Sequence, residues 1–426
     1  MSTNPITLAF ARQQDKEDQL SHFRDRFYIP QIEGKDAIYL CGNSLGLQAK
    51  TTAAYLQKEL DQWANLGVEG HFKGSEPWLS YHKQFSLPLS TLLGTLAEEV
   101  VCMNALTVNL HLLFASFYKP TEKRKKILIE DDCFPSDRYA VTSQIAWHKL
   151  DAKEQLVAIE SENYELSTER IVEQIYSLGD SLSLVWLGGV NYFSGQVLDM
   201  KKITMAAHKV GALVGFDLAH AIGNVELALH EWNVDFATWC SYKYLNSSAG
   251  GVSGVYVHER HTHDPNTFRL SGWWGTKEEA RFQMKKSFDP IPTAESWQLS
   301  NAPILAMAAH KASLDIFDEA GFAHLLTKSK KLTDYLVLLL QELVTKKKIK
   351  IITPENRGCQ LSLLIYEKGE GFIQELRREG IILDWRKPKD SNEKYGVMRV
   401  APVPLYNSFE DVWQFVTILT QLLSTT

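Results

Sequence analysis

The segment GFDLAHAIGNVELALHEWNVDFATWCSYKYLN, residues Gly215–Asn246, places an aspartate and a lysine at the ends of two short apolar runs. Asp217 ends the run ALVGFD, and Lys243 comes shortly after the run DFATWC. Short runs rich in β-branched and aromatic residues predict two consecutive strands. Since ligands of open α/β sheets bind at the carboxyl ends of the strands, we expect Asp217 and Lys243 to face one crevice.

The surrounding sequence alternates between strand and helix patterns. From about Lys125, short apolar runs such as KKILIED, EQLVAI and SLSLVWLGG are separated by helical patterns, which is typical of a mainly parallel sheet in an α/β fold. After about Pro303 long helical stretches and a few further strands predict a smaller α+β domain, whose last helix has Ser408 as its N-cap. We therefore predict an N-terminal arm (1–50) packed on the small domain, a large α/β domain (51–303) and a small C-terminal domain (304–426).

Composition excludes several classes of function. The chain has 426 residues, 45% of them hydrophobic and 23% charged, with a formal net charge of -6, which are ordinary values for a globular protein. The short basic runs before apolar stretches are read as solvated strand entrances, so neither a nucleic-acid nor a membrane partner is expected. Five scattered cysteines without C-x-x-C spacing predict no metal site and no disulfide framework. Cysteines without a disulfide pattern suit a reducing compartment, and no leader pattern is found, so a cytoplasmic protein is expected.

The lysine and the acid together match the requirements of a pyridoxal cofactor. A lysine amine is a nucleophile when it is deprotonated, and its commonest covalent role is imine formation with a carbonyl. A pyridoxal cofactor also needs an acid that keeps its ring nitrogen protonated, so that the ring accepts electrons. From spacing alone, a surface lysine after a strand and a strand-end acid remain open alternatives.

Two further residues fit such a cofactor. Thr107 comes just before an apolar helical pattern, and the free N–H groups of a helix N-terminus bind phosphate. Phe134, in DCFPSD, follows a predicted strand, where an aromatic side chain could lie on a cofactor ring. An ordinary N-cap threonine and a core phenylalanine are the alternative interpretations.

Eight segments between about Leu40 and Val412 together resemble the kynureninase family: LCGNSLGL, LTVNLH, FPSD, FDLAHAIGN, CSYKYLN, GWWG, LSNAPIL and MRVAPVPLYNSFEDV. Kynureninases are pyridoxal-phosphate (PLP) enzymes of fold type I, the aspartate-aminotransferase superfamily. The resemblance therefore implies a large PLP-binding domain with a mainly parallel sheet, followed by a smaller C-terminal α+β domain.

The resemblance also implies roles for individual residues. Lys243 binds the cofactor aldehyde covalently, Asp217 pairs with the ring nitrogen, and Tyr242 bonds the phosphate and is a candidate proton donor. The other cofactor-binding residues implied are Leu106, Thr107, Phe134, Pro135, Ser136, Asp137, His220, Trp273 and Asn301. Arg399 is implied to hold the substrate α-carboxylate, and Ser44, His71 and Asn301 the other end of the substrate.

Trp273 and Asn301 match positions that the family supplies across a dimer interface, which implies a homodimer with shared active sites. One position departs from the pattern, because Gly188 stands where related enzymes often have a hydroxyl residue near the cofactor.

The implied reaction is hydrolysis of the β,γ C–C bond of L-kynurenine or 3-hydroxy-L-kynurenine. The products are anthranilate or 3-hydroxyanthranilate and L-alanine, in tryptophan catabolism or NAD biosynthesis. The set of Ser44, His71 and Asn301 resembles that of members favouring the 3-hydroxylated substrate. Two alternatives remain: a cysteine-desulfurase-like lyase on the same fold, and a non-catalytic protein that keeps the cofactor fold.

Overall fold

A computed structural model describes residues 4–388 and 395–424 and confirms the predicted fold class. Its strands, in chain order, are β1 (Gln31–Ile32), β2 (Lys35–Asp36), β3 (Ile38–Tyr39), β4 (Val100–Cys102), β5 (Lys126–Glu130), β6 (Leu156–Ile159), β7 (Leu182–Gly188), β8 (Leu213–Asp217), β9 (Phe236–Trp239), β10 (Gly254–Val257), β11 (Ile349–Ile351), β12 (Leu361–Tyr366), β13 (Ile381–Ile382), β14 (Asp384–Arg386) and β15 (Tyr395–Val400).

The described residues form fourteen α-helices. They are α1 (Leu8–Glu17), α2 (Thr52–Leu66), α3 (Ser86–Leu93), α4 (Leu106–Phe117), α5 (Pro135–Trp147), α6 (Ala152–Gln155), α7 (Thr168–Leu178), α8 (Met200–Lys209), α9 (Glu259–Thr262), α10 (Glu278–Arg281), α11 (Ile304–Ala320), α12 (Phe322–Thr345), α13 (Phe372–Arg378) and α14 (Phe409–Ser424).

The main sheet has seven strands in the order β4-β10-β9-β8-β7-β5-β6. The pairs β9–β8, β8–β7, β7–β5 and β5–β6 are parallel, whereas β10 is antiparallel to both of its neighbours. Strands such as β9 are buried along their whole length. The sheet is thus mixed at one edge and parallel through the centre, where the carboxyl ends of β5, β7, β8 and β9 lie side by side.

The C-terminal domain contains a four-stranded antiparallel sheet in the order β11-β12-β15-β14. The predicted cap of α14 is confirmed, because the N–H of Asp411 donates to Ser408 Oγ over 2.9 Å. The carboxylate of Asp411 accepts in return from the N–H of Ser408 over 3.1 Å, which completes a reciprocal cap.

The N-terminal residues contact the C-terminal domain directly. Strand β3 pairs in parallel with β13, and Lys328 of α12 forms a buried ion pair with Asp18 over 2.7 Å. The backbone N–H of Phe409 donates to Asp15 Oδ1 over 2.6 Å. These contacts join the N-terminal residues to α12, α14 and β13, and the division into an arm, a large domain and a small domain stays a prediction.

Two features of the main sheet were not predicted from the sequence: strand β4 and the direction of strand β10. Strand β4, Val100–Cys102, precedes the predicted start of the α/β pattern and has only three residues, too few for periodicity to identify. The antiparallel direction of β10 is set by tertiary pairing with β4 and β9. In the part of the chain that the structure describes, no helix is both long and apolar enough to cross a membrane.

Candidate active site

A cavity of about 340 Å³ lies at the carboxyl ends of the central strands. Residues at or just after the ends of β5, β7, β8 and β9 line it, together with the start of α4, two residues of the N-terminal segment and two arginines of the antiparallel sheet. The predicted residues that line this cavity are Ser44, Leu106, Thr107, Phe134, Ser136, Asp137, Asp217, His220, Tyr242, Lys243 and Arg399. One pocket therefore collects most of the predicted site.

Lys243 points into the cavity, and its Nζ lies 2.9 Å from Nε2 of His220. Burial and the nearby charge of Lys243 lower the pKa of His220 well below its usual value, so the imidazole is neutral. A neutral Nε2 accepts a hydrogen bond from the amine and fixes its direction. The backbone is also held in place, because the N–H of Gly46 donates to the carbonyl of Tyr242 over 2.8 Å, and a Cβ at Gly46 would overlap the carbonyl of Lys243.

Asp217 belongs to a pair of buried carboxyl groups. Burial raises the pKa of both Asp137 and Asp217, and the charge of Asp217 raises the pKa of Asp137 further. Two contacts lower the pKa of Asp217 again. One is the charge of Lys243, and the other is the N–H of Ala219, which donates to Asp217 Oδ1 over 2.7 Å. The proton of the pair therefore rests on Asp137, and Asp217 keeps its negative charge.

The phosphate end of the predicted site is a helix N-terminus. Helix α4 begins at Leu106, so Thr107 is its second residue. The first intrahelical bond runs from the N–H of Asn109 to the carbonyl of Ala105 over 3.0 Å, which leaves the N–H groups of residues 106–108 ahead of the helical ladder. These groups and the helix dipole favour an anion at this wall of the cavity.

Phe134 is half exposed at the cavity rim, and its ring centroid lies 5.9 Å from Lys243 Nζ. Tyr192 holds it from the side, with the two rings edge to face at 5.5 Å. A face of Phe134 is thus available for a flat ring bound between it and the strand ends.

Sequence reasoning missed a buried polar cluster around Gly188. The Glu130 carboxylate accepts from the N–H of Gly188 and from Asn191 Nδ2, both over 2.7 Å. Burial and the charge of Asp132 raise the pKa of Glu130 to about 7. A Cβ at position 188 would lie 3.1 Å from Glu130 Oε1, so the carboxylate fills space beside Gly188 in which a hydroxyl side chain would be crowded. No local pattern predicts this, because the contact joins residues of different strands.

Arg399 is fully buried and already has partners. Its Nε donates to Asp384 Oδ1 over 2.7 Å, its Nη2 donates to the other Asp384 oxygen, and its Nη1 donates to the carbonyl of Tyr192 over 2.7 Å. Of the five N–H groups of a guanidinium, two remain for a ligand.

Four of the predicted residues do not line the cavity: His71, Pro135, Trp273 and Asn301. A chain of aromatic contacts joins the half-buried His71 to the exposed Phe72, Phe282 and Trp273, with ring centroids 6.3 Å, 5.9 Å and 5.6 Å apart in turn. Asn301 is exposed ahead of α11. Pro135 is the first residue of α5, between two lining residues. A single chain therefore does not bring His71, Trp273 or Asn301 to Lys243.

The cavity fits PLP by the chemistry of its walls. An amine, an ionised carboxylate, an aromatic face and a helix N-terminus surround one space, and they match the aldehyde, ring nitrogen, ring face and phosphate of that cofactor. His220 Nδ1 is buried without a hydrogen-bond partner among the described residues, which leaves a polar atom for a bound group.

Comparison with known proteins agrees with this geometry. Residues 325–419 match the model of the kynureninase C-terminal domain. The chain is 48% identical over 420 residues to a kynureninase of Flavobacterium psychrophilum, covering 97% of each protein. It is also 43% identical over 447 residues to a kynureninase of Mus musculus, covering 99% of this chain and 95% of that protein.

Solved structures with the same fold include two cysteine desulfurases. One, from Thermococcus onnurineus, has a TM-score of 0.75 at 17% identity and covers 92% of this chain and 95% of its own. The other, from Escherichia coli, has a TM-score of 0.76 at 15% identity and covers 96% and 99%. At such low identity they establish the shared fold type I architecture and nothing about the reaction. The full-length identity to named relatives decides the family: this chain is a member of the kynureninases, which are PLP-dependent hydrolases.

Proposed function

We propose that this protein hydrolyses the β,γ C–C bond of L-kynurenine and 3-hydroxy-L-kynurenine, releasing the anthranilate and L-alanine. The observation that carries the proposal is one cavity, in a kynureninase-family chain, that holds Lys243, Asp217 and Arg399 together. The presence of Ser44 in the same cavity supports a preference for the 3-hydroxylated substrate. Tryptophan catabolism or NAD biosynthesis is the corresponding pathway.

When bound, PLP supplies an electron sink that stabilises negative charge on the substrate α-carbon. Lys243 Nζ would be the group that binds the cofactor, takes the substrate α-proton and returns a proton. His220 Nε2 keeps this amine directed at the centre of the cavity. Asp217, ionised because Asp137 carries the proton of the pair, keeps the ring nitrogen protonated.

Two other residues have defined tasks in this proposal. The two free N–H groups of Arg399 would bind the substrate α-carboxylate, a match for a planar fork. Burial and the neighbouring Cys240 raise the pKa of Tyr242, so its phenol stays protonated and is a hydrogen-bond and proton donor.

A product assay tests the proposal. Purified protein loaded with PLP is incubated with L-kynurenine, 3-hydroxy-L-kynurenine and L-cysteine in parallel, and anthranilates, alanine and sulfide are measured. We expect both anthranilates with equimolar alanine, a higher kcat/KM for the 3-hydroxylated substrate, and no sulfide. Sulfide without anthranilate would instead support the desulfurase alternative.

We further propose that the working form is a homodimer with shared sites. Exposed aromatic side chains support this, because Phe72 is 54% and Phe282 53% exposed beside His71 and Trp273, an unusual surface for a lone chain. A second copy packed there would place these residues near its own cavity.

Mixed dimers test the shared site. We expect the Lys243→Ala and Trp273→Ala variants to be weakly active or inactive alone. Refolded together they should recover part of the wild-type activity, because one site of each mixed dimer has both residues. A monomeric mass in solution, or no recovery on mixing, would contradict this arrangement.

A further inference from the structure

The antiparallel sheet forms one wall of the cavity, and two arginines on this wall, Arg386 and Arg399, donate to the same carboxylate, Asp384. Asp384 lies directly opposite Arg399 across β14 and β15, and Arg386 follows two positions later on β14. Residues two apart on a strand share a face, so all three side chains are on the same side of the sheet. Arg386 Nη2 donates to Asp384 Oδ2 over 3.1 Å, the same oxygen that Arg399 Nη2 contacts.

The charge of Arg399 alone is insufficient to bind the substrate carboxylate. Arg399 and Asp384 form a bidentate ion pair, whose net charge is zero. A substrate carboxylate placed against Arg399 alone would also lie close to the negative charge of Asp384. The carboxylate would lose its water of hydration, and no net positive charge on the protein would offset that cost. Arg386 adds one positive charge that Asp384 does not cancel, so the wall as a whole is cationic.

The geometry of Arg386 leaves it available. Its side chain is 42% exposed, whereas that of Arg399 is 2% exposed, and both residues line the cavity. Its Nε is buried and has no hydrogen-bond partner among the described residues. The charges of both arginines act at the centre of the site. Burial and the charge of Lys243 are the main causes of the lowered pKa of His220, and Arg399 and Arg386 lower that pKa further.

We propose that Arg386 is a second substrate-binding residue that forms, with Arg399, a two-arginine clamp for the α-carboxylate of the substrate. Arg399 sets the position of the carboxylate, since three of its N–H groups are fixed by Asp384 and Tyr192. Arg386 supplies the uncompensated charge that makes binding of an anion favourable. The clamp rests on the proposed function only in that its ligand is an α-amino acid.

Equilibrium binding tests the clamp without turnover. L-alanine and L-alaninamide, which differ in the carboxylate alone, are titrated into PLP-loaded wild type and Arg386→Gln, and binding is followed by the cofactor absorption. Since a charge-assisted contact is lost, Arg386→Gln should weaken L-alanine binding by about 10- to 100-fold and leave L-alaninamide binding nearly unchanged. Arg386→Lys should keep most of the affinity for L-alanine.

Lys387→Gln is the matched control, because it removes a positive charge next to Arg386 in the sequence. The Lys387 side chain is 68% exposed, and its Nζ lies 3.6 Å from Glu370 Oε2. This variant should bind both ligands like wild type. Equal weakening of both ligands in Arg386→Gln would assign Arg386 a structural role, and unchanged L-alanine binding would remove it from the site. Either result overturns the clamp. Kynurenine turnover is assayed separately, so a wild type that discriminates the two ligands but cleaves no kynurenine would refute the proposed function and leave the clamp in place.

Discussion

Lys243→Ala is expected to lower kynurenine cleavage by at least about 10³-fold, since one amine is asked to bind the cofactor and to move the substrate proton. No other lysine lines the cavity in the described part of the chain. The amine contacts the neutral His220 and forms no ion pair with the described residues, so its removal takes from the core one hydrogen bond and a charge that lowers the pKa of Asp217. We therefore expect the variant to fold, and its kcat is the measurement that checks the prediction.

Chemical rescue separates the two roles of the amine. Adding a small primary amine to Lys243→Ala should restore part of the proton-transfer activity, because such an amine fits the space left by the side chain. The circular dichroism spectrum and the urea midpoint should match those of wild type. Kynurenine cleavage at a normal rate in the variant would show that Lys243 is not the catalytic amine.

Asp217→Asn is expected to give the second largest loss, on the order of 10²- to 10³-fold in kcat, because the charge opposite the ring nitrogen disappears. Asp137→Asn should cost about tenfold or less, since Asp137 is the protonated member of the pair and an amide preserves a hydrogen-bond donor toward Asp217. Steady-state kinetics on the two variants, prepared alike, measure the difference.

Each of the two variants, Asp217→Asn and Asp137→Asn, is the control for the other. Both side chains line the same cavity, and each substitution removes one carboxyl group without changing its size. Equal losses in the two variants would mean that the pair shares its charge. A larger loss for Asp137→Asn would place the ionised carboxylate on Asp137 instead.

The residues found from the sequence are those whose position follows from local pattern. Asp217 and Lys243 were predicted to meet because each follows a short apolar strand, and strand ends of a parallel sheet share one edge. The structure has these two strands paired in parallel, with Asp217 opposite Thr238. Ser408 was predicted as a cap from its own helix, and it does accept from Asp411.

The residues that were missed depend on contacts between distant segments. Glu130 reaches Gly188 and Asn191 from a neighbouring strand, and Arg386 faces the cavity only because β14 pairs with β15. Neither residue has a distinguishing local pattern. The family resemblance named His71, Trp273 and Asn301, which this chain does not bring to the cavity by itself, so their roles remain predictions that depend on a second copy.

The central claim is that Lys243 Nζ is the atom that joins the cofactor aldehyde, in the cavity that also contains Asp217. Reducing the PLP-loaded protein with borohydride, digesting it and locating the added mass by tandem mass spectrometry tests this most directly. We predict a single phosphopyridoxyl group on the peptide containing Lys243. A label on another lysine, or no label on a protein that still cleaves kynurenine, would contradict the account.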